Sequence, residues 1–118
     1  MDLSIEKNGD ATIIRIQTAR VIYPLLPALV GKTTEEVERG ARSLVLDLQA
    51  VSYIDSATIG CIMDIYRLAK DHGGGLHLLA PQARVETMLS MAGVHKIVPI
   101  FREEDEAVRA FATETGKQ

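Results

Sequence analysis

An aspartate followed by a serine is the pair of residues in this chain with the clearest chemical potential. Asp55 and Ser56 stand in the middle of residues 51–60, just before a run with helical spacing. Both residue types are good helix N-caps, because their side-chain oxygens accept hydrogen bonds from the free N–H groups of a first helical turn. Such a cap stabilises a helix by about 1 kcal/mol. Residue types alone therefore predict a helix start at this position.

The side chains that most often bind metals or act as nucleophiles are few and separated. His72, His77 and His95 fall on different predicted elements, and no two of them have the i, i+4 spacing of a metal site. Cys61 falls inside the helix that follows Ser56, where we expect a small buried residue rather than a nucleophile. The sequence predicts neither a metal site nor a cofactor.

Motifs of common catalytic and nucleotide-binding sites are missing from the sequence. It contains no Gly-x-Ser-x-Gly elbow, no Walker loop and no Gly-x-Gly-x-x-Gly. Residues 73–75, three glycines, follow a predicted helix rather than precede one, which indicates a turn and not a phosphate cradle. Asp47 on a strand and Asp55 in the next loop have no other mark of a catalytic cleft. We therefore expect no catalytic residues and a protein that is not an enzyme.

Length and charge restrict the remaining classes. The chain has 118 residues, 47% of them hydrophobic, one cysteine and a formal net charge of -3. Thirteen Lys and Arg against sixteen Asp and Glu provide no basic field for direct nucleic-acid binding. No apolar run approaches the roughly 18 residues of a membrane span, and the N-terminus does not resemble a signal peptide. We expect one cytoplasmic, soluble domain over residues 1–118, with a flexible tail from about residue 113.

Turn residues and apolar spacing divide the chain into strands and helices. Asn8-Gly9-Asp10 predicts a hairpin turn between strands at residues 3–7 and 11–17. The elements predicted after it are one irregular helix or two short ones at 24–39, a strand at 44–48, a helix from 55 or 56 to about 72, a strand at 76–79, a helix from 81 to 93, a strand at 94–101 and a final helix led by the carboxylates of 103–106.

This alternation predicts an α/β fold. We expect a mixed sheet of about five strands, with an N-terminal hairpin and parallel later strands, packed against about four helices. The side chains expected to face inward are Ile59, Ile62, Met63, Tyr66 and Ala69 in the second helix, Val85, Met88, Leu89 and Met91 in the third, and Val108 and Phe111 in the last.

Two motifs and the elements around them resemble a known family. Leu46-Asp47-Leu48 and Val51-Ser52-Tyr53-Ile54-Asp55-Ser56, with the following amphipathic helix and Gly73-Gly74, are similar to the STAS domain of bacterial anti-sigma-factor antagonists. The resemblance runs from about residue 44 through 101, and the opening hairpin is compatible with the same fold. It implies the STAS fold for this chain.

The family motif is Asp-Ser-Ser/Thr-Gly-Leu-Gly. Its first serine, the regulatory phosphorylation site of the family, falls on Ser56, which the matching Asp55 precedes. Gly60 matches the second glycine of the motif, whereas Ala57 stands at the second Ser/Thr and Thr58 replaces the first glycine. The acidic residue that the family carries in an upstream loop is missing from residues 18–23.

The resemblance implies a switch between two states of a protein–protein interaction. The unmodified protein is expected to bind an anti-sigma factor that is also an ATP-dependent serine kinase, and so to free the sigma factor. Phosphorylation of Ser56 by that kinase ends the interaction, and a metal-dependent serine/threonine phosphatase restores it. The residues expected to contact the partner are Asp55, Ala57, Thr58, Ile59 and Gly60.

Two other functions stay open at this point. The first is a STAS module that is not phosphorylated, acting as a scaffold or as a transporter-associated binding subunit. The second, from another class, is a binder of a small ligand such as a nucleotide or an anion, or an enzyme, with a pocket near Asp55. A homo-oligomer is compatible with each of these functions.

Overall fold

Strands and helices form where apolar runs alternate with turn residues, and the computed structural model describes them for residues 1–115. The strands are β1 (Leu3–Asn8), β2 (Ala11–Ile16), β3 (Arg20–Val21), β4 (Ser43–Asp47), β5 (Tyr53–Ile54), β6 (Gly75–Leu79) and β7 (Ile100–Phe101), and the α-helices are α1 (Leu26–Glu38), α2 (Ser56–Asp71), α3 (Ala83–Met91) and α4 (Glu104–Thr115).

Five strands form one mixed sheet in the order β1-β2-β4-β6-β7. β1 and β2 are antiparallel, with Asn8 paired to Ala11 across a two-residue turn. Gly9 adopts a φ of +60° in this turn, a left-handed conformation that glycine reaches without strain. β2, β4, β6 and β7 run parallel to one another. The predicted α/β fold, with its hairpin, its parallel strands and its four helices, is confirmed.

The sheet separates two hydrophobic cores. Ile14 and Leu46 belong to the larger core, which includes the buried apolar residues of α1, α2 and α3. Ile13 and Val45 belong to a smaller core, which includes Phe111 of α4. Successive strand residues point to opposite faces of a sheet. Three helices therefore cover one face, and α4 covers the other.

α4 is attached to its face of the sheet by polar contacts as well as by packing. The ring of His77, a fully buried residue of β6, stacks on Phe111 with the centroids 3.7 Å apart. Nδ1 of His77 lies 2.7 Å from the carbonyl oxygen of Ala107, and Nε2 contacts the carboxylate of Glu114. The predicted tail from residue 113 begins inside this helix, which extends to Thr115, and residues 116–118 lie outside the described part of the chain.

Glycine at position 74 allows the chain to pass directly over the start of β4. A Cβ atom at Gly74 would lie 2.0 Å from the carbonyl oxygen of Arg42, much closer than any van der Waals contact. The same carbonyl oxygen accepts a hydrogen bond of 2.9 Å from the backbone N–H of Gly75. Position 74 therefore requires a residue without a side chain.

β3 and β5 form a second, two-stranded parallel sheet that the sequence did not predict. Arg20 pairs with Tyr53 and Val21 pairs with Ile54. The backbone N–H of Tyr53 donates to the carbonyl oxygen of Ala19 at 3.2 Å. Strands of two residues are too short for a period-2 pattern to show. This small sheet aligns the segment before α1 with the segment before α2.

Residues 94–101 do not form the strand predicted for their whole length. Val94–Lys96 form a 3-10 turn, and only Ile100–Phe101 pair with β6. Val94 and Val98 are both buried, and the backbone N–H of Val98 donates to the carbonyl oxygen of Val94 at 2.8 Å. Their separation by four residues is a helical spacing, which the β-branched composition of this run conceals.

The buried face of α2 is rotated relative to the prediction. Ile62 and Ala69 are buried as expected, whereas Ile59, Met63 and Tyr66 are only partly buried. The buried residues of α2 are Thr58, Cys61, Ile62, Ile65 and Ala69.

The C-terminal end of α3 differs from the prediction at one residue. Val85 and Leu89 are buried as expected and Met88 is partly buried, but Met91 is 84% exposed. Met91 lies two residues after Leu89, which places it on the opposite side of the helix.

Candidate functional site

Asp55 is the N-cap of α2 and uses both carboxylate oxygens. Oδ1 accepts a hydrogen bond of 2.9 Å from the backbone N–H of Thr58 and lies 2.8 Å from the Thr58 hydroxyl oxygen. Oδ2 accepts a hydrogen bond of 2.9 Å from the backbone N–H of Tyr23. The Thr58 hydroxyl and then the Tyr23 N–H lower the pKa of Asp55 below its ordinary value, because both stabilise the ionised form. Asp55 therefore adds a negative charge at the helix start and connects it to the loop before α1.

Thr58 has a structural place beneath the start of the helix. It is 2% exposed, and its hydroxyl oxygen lies 2.7 Å from the carbonyl oxygen of Val21. This hydroxyl carries one proton, so it donates either to Val21 or to Asp55 at any moment. Thr58 thus connects the cap of α2 to the small β3–β5 sheet.

Ser56 is the first residue of α2 and is exposed. Within residues 1–115, its hydroxyl group makes no hydrogen bond, and the backbone N–H groups of Ser56 and Ala57 have no acceptor. Free N–H groups and the partial positive charge of a helix N-terminus favour a bound anion or phosphate. The Ser56 hydroxyl is therefore available for chemistry without loss of a structural contact.

A groove between the N-terminal halves of α1 and α2 lies beside Ser56. We call it the α1–α2 groove, and its volume is about 620 Å³. Tyr23 is 71% exposed and Val30 is 39% exposed, which are high values for such large apolar side chains. The residues that line the groove are Tyr23, Pro24, Leu26, Pro27, Val30, Ala57, Gly60, Cys61 and Asp64.

The five predicted partner-binding residues are adjacent in the structure but have different surroundings. Ala57 and Gly60 line the α1–α2 groove, and Gly60 is exposed. Asp55 caps the helix, Thr58 is buried beneath the cap, and Ile59 is partly buried against the larger core. Only Ala57 and Gly60 of this set therefore contribute directly to the wall of the groove.

Sequence reasoning missed the other wall of the groove. Pro24, Pro27 and Val30 come from residues 24–39, for which the sequence predicted only one irregular helix or two short ones, and Tyr23 directly precedes them. Two prolines close to an exposed tyrosine were the available signal, since they fix the backbone where α1 begins. Tyr23 lies in the loop that lacks the family's acidic residue. Its backbone N–H donates a hydrogen bond to the carboxylate of Asp55.

Cys61 and Asp47, two other candidates for chemistry, have structural places. Cys61 is buried, and burial raises the pKa of its thiol to about 11, which keeps it protonated. Asp47 forms a 2.8 Å ion pair with Arg15 and accepts a 2.9 Å hydrogen bond from the backbone N–H of Gln49. The described residues contain no group of three or more His, Cys, Asp or Glu side chains that could hold a metal ion. They also contain no helix with the length and hydropathy needed to cross a membrane.

Comparison with known proteins identifies the family. The STAS domain family model matches residues 2–107, which is most of the chain. The chain belongs to the STAS domain family. A curated relative of this STAS domain is the anti-sigma F factor antagonist of Paenibacillus polymyxa, which is 31% identical over 110 residues that cover 92% of this chain and 94% of the relative. The resemblance predicted from the sequence is confirmed.

Two solved structures share the fold of this STAS domain. The phosphorylated form of the Bacillus cell fate determinant SpoIIAA has a TM-score of 0.70 at 17% identity and covers 92% of this chain and 99% of that chain. The murine anion transporter Solute Carrier 26 family member A9, in its inward-facing state, has a TM-score of 0.76 at 16% identity and covers 92% of this chain and 18% of the transporter. At these identities the likeness establishes the fold alone. The fold thus occurs both in small proteins and as part of a large one.

Proposed function

We propose that this STAS domain is an anti-sigma factor antagonist whose binding is controlled by phosphorylation of Ser56. The observation that carries the proposal is the exposed, unbonded Ser56 hydroxyl at the first residue of α2, next to the α1–α2 groove. The curated relative from Paenibacillus polymyxa, which is described as an anti-sigma F factor antagonist, supports the same role. In this proposal the protein acts by binding in the cytoplasm and is not an enzyme.

The docking face in this proposal consists of the start of α2 and the α1–α2 groove. Exposed Tyr23 and Val30 provide apolar area, and Ala57 and Gly60 provide a shallow wall that lets a partner approach the helix backbone closely. Apolar area of this kind is the main source of free energy in protein association. Asp55 and Thr58 contribute indirectly, since they hold Tyr23 and the start of α2 together.

Phosphorylation changes this face through charge. A phosphoserine adds about -1.5 to -2 charges at neutral pH, and the free N–H groups at the start of α2 stabilise it in the isolated protein. A partner that covers Ser56 must instead remove water from a near-dianion beside the ionised Asp55 carboxylate. That desolvation weakens the complex by roughly several kcal/mol, while the fold itself tolerates the modification.

The proposed partners follow from this switch. The anti-sigma factor is also a serine kinase, and it transfers the γ-phosphoryl group of ATP to Oγ of Ser56. The new O–P bond forms as the bond from the γ-phosphorus to its bridging oxygen breaks, ADP leaves, and the hydroxyl proton passes to a base of the kinase. A metal-dependent serine/threonine phosphatase hydrolyses the product and restores the binding form.

The proposal is tested with kinase-type anti-sigma factors from the same genome, each purified and mixed with the full chain. We expect one of them to bind the wild type and, with ATP, to add a single phosphate that mass spectrometry locates at Ser56. Ser56→Ala retains binding and takes up no phosphate, whereas Ser56→Asp weakens binding by about tenfold or more in calorimetry.

Thr113→Asp is the matched control, because Thr113 is an exposed hydroxyl residue of α4, the helix on the opposite face of the sheet. It receives the same charge and leaves binding unchanged. The proposal is wrong if Ser56 stays unmodified with every kinase and Ser56→Asp binds as tightly as the wild type.

A second candidate function is a STAS binding module that is never phosphorylated. Ala57 and Thr58 depart from the family motif directly after Ser56, and the same fold occurs within an anion transporter. This function predicts tight binding of a partner by the wild type with no phosphate transfer in the presence of ATP. The mass measurement described above separates the two functions.

A further inference from the structure

Two arginines from different elements converge on one tyrosine ring next to the docking face. Cζ of Arg20, in β3, lies 4.6 Å from the ring centroid of Tyr53, and Cζ of Arg84, at the start of α3, lies 5.6 Å from it. Both arginines are exposed. A guanidinium over an aromatic face is held by the ring quadrupole and by stacking, which fixes its position without neutralising its charge.

Arg20 and Arg84 also differ from most other arginines of the protein in their lack of an acidic partner. Within residues 1–115, no carboxylate lies within ion-pair distance of either guanidinium. The arginines that do form ion pairs there are Arg15, Arg39, Arg67 and Arg102. Two like charges therefore lie close to one ring, and neither is paired with a carboxylate of residues 1–115, in a chain whose net charge is -3.

The position of this cluster relates it to the docking face. Tyr53 precedes Ser56 by three residues, and β3 ends two residues before Tyr23 of the α1–α2 groove. The pairing of Arg20 with Tyr53 fixes these two segments side by side. The cluster is thus continuous along the chain with both parts of the docking face.

We propose that Arg20, Tyr53 and Arg84 form a docking site for an acidic segment of the anti-sigma factor, whose Asp or Glu carboxylates bind the two guanidiniums. This inference rests on the proposed function and names the chemistry of the partner. A fixed guanidinium is the preferred group for a carboxylate, because its N–H fork donates two parallel hydrogen bonds. The net negative charge of the protein repels an acidic segment from most of the surface. The two arginines of the cluster attract it, so they determine where such a segment binds.

The test measures the affinity of the full chain for the anti-sigma factor that binds the wild type, at NaCl concentrations from about 50 to about 300 mM. We expect Arg20→Glu and Arg84→Glu each to weaken binding by about tenfold or more at low salt and to flatten its salt dependence. Circular dichroism and a thermal unfolding curve for each variant establish that the fold is retained. The flattened salt dependence separates a charge contact from a merely structural role of the stacked side chains.

Arg109→Glu is the matched control, since Arg109 is exposed on α4, has no carboxylate partner within the described residues and belongs to the helix on the opposite face of the sheet. It keeps the affinity within about twofold of the wild type. The inference is overturned if Arg20→Glu and Arg84→Glu bind as the control does, or if all three variants weaken binding equally.

A second measurement keeps this inference separate from the proposed function. If no anti-sigma factor binds the wild type, the proposed function fails, and the site is then probed with a hexaglutamate peptide by NMR of the arginine Nε–H groups. Saturable shifts at Arg20 and Arg84, absent with inorganic phosphate, support a carboxylate site. No shift, or a shift with phosphate alone, overturns it.

Discussion

Asp55 and Ser56 are neighbours with opposite relations to the rest of the protein. Asp55 contacts Thr58 and Tyr23 through both oxygens, and these contacts establish where α2 begins. Ser56 follows directly, and its side chain makes no hydrogen bond within residues 1–115. Because capping is done by Asp55, a change at Ser56 affects the surface charge and not the helix. This division of roles could not be decided from the sequence, which allowed either residue to be the cap.

Gly60 offers a test of the docking face at the scale of one residue. A Cβ atom added at Gly60 meets nothing within 4 Å, so we expect Gly60→Ala to raise the free energy of unfolding, by about 0.5–1 kcal/mol, through the better helix propensity of alanine. The same methyl group narrows the α1–α2 groove, and we expect it to weaken anti-sigma factor binding several-fold. Urea unfolding and calorimetry measure the two effects.

Gly31→Ala is the control for this pair of effects. Gly31 is an exposed glycine inside α1, and an added Cβ there also meets nothing within 4 Å. It is expected to stabilise the protein in the same way and to leave binding unchanged, because it does not line the groove. Equal binding by the Gly60 and Gly31 variants would exclude a close approach of the partner to Gly60.

At the scale of elements, α4 depends on a small number of contacts with the sheet. Arg15 of β2 bonds Glu104 and Asp47 at 2.8 Å each and also contacts Glu6. The three carboxylates, Glu6 first, raise the pKa of the Arg15 guanidinium above its ordinary value, because they stabilise its charged form. Arg15 thus fixes the start of α4, and the buried His77 fixes its later turns.

Phe111 is the side chain that we expect to contribute most to this attachment. It is 8% exposed and stacks on His77, so Phe111→Ala removes both buried area and a ring contact. We expect the free energy of unfolding to fall by about 3 kcal/mol, as for other large-to-small core substitutions. Anti-sigma factor binding, measured on the folded variant, is expected to stay unchanged because α4 lies on the face opposite to α1 and α2.

Arg109→Ala, on the exposed side of α4, is the control and is expected to change stability by less than about 0.5 kcal/mol. A loss of binding in the Phe111 variant, with its circular dichroism unchanged, would contradict the separation of the two faces.

Elements that were predictable from the sequence are those with a repeated signal. β2, β4 and β6 are apolar runs bounded by turn residues, and α2 has a cap, an apolar stripe and a glycine stop. The β3–β5 sheet was not predictable, since two paired residues on each side carry no period and depend on tertiary contacts. The same holds for the groove, which exists because α1 and α2 lie side by side.

The whole molecule consists of one sheet with unequal cores. The larger core, under α1, α2 and α3, contains most of the fully buried large side chains, whereas the smaller core under α4 contains few. Regions with less buried area open at lower free energy than the rest of a protein. The proposed docking face is carried by α1 and α2, which pack on the larger core, so we expect it to be preorganised for binding.

We therefore expect the amides of α4 to exchange their hydrogens through a local opening of lower free energy than the amides of β2, β4 and β6. Native-state hydrogen exchange in increasing urea measures both free energies. Because α4 buries few residues, we expect the opening free energies of its amides to lie below those of the central strands at low urea. The two groups of values should merge at higher urea, where global unfolding dominates exchange. A single free energy for α4 and the central strands would show that the two cores unfold as one unit.

Gly74 has a consequence for how mutational data on this protein are read. Every substitution at this position places a Cβ on the Arg42 carbonyl oxygen, so even alanine is expected to be lost in a selection for function. In a saturation screen, position 74 will therefore be as intolerant as a phosphorylation site, although it lies in the turn that follows the other end of α2. Abundance measured beside activity is expected to separate the two kinds of position, since variants at Gly74 should lose the folded protein, whereas under the proposed function variants at Ser56 should lose only its regulation.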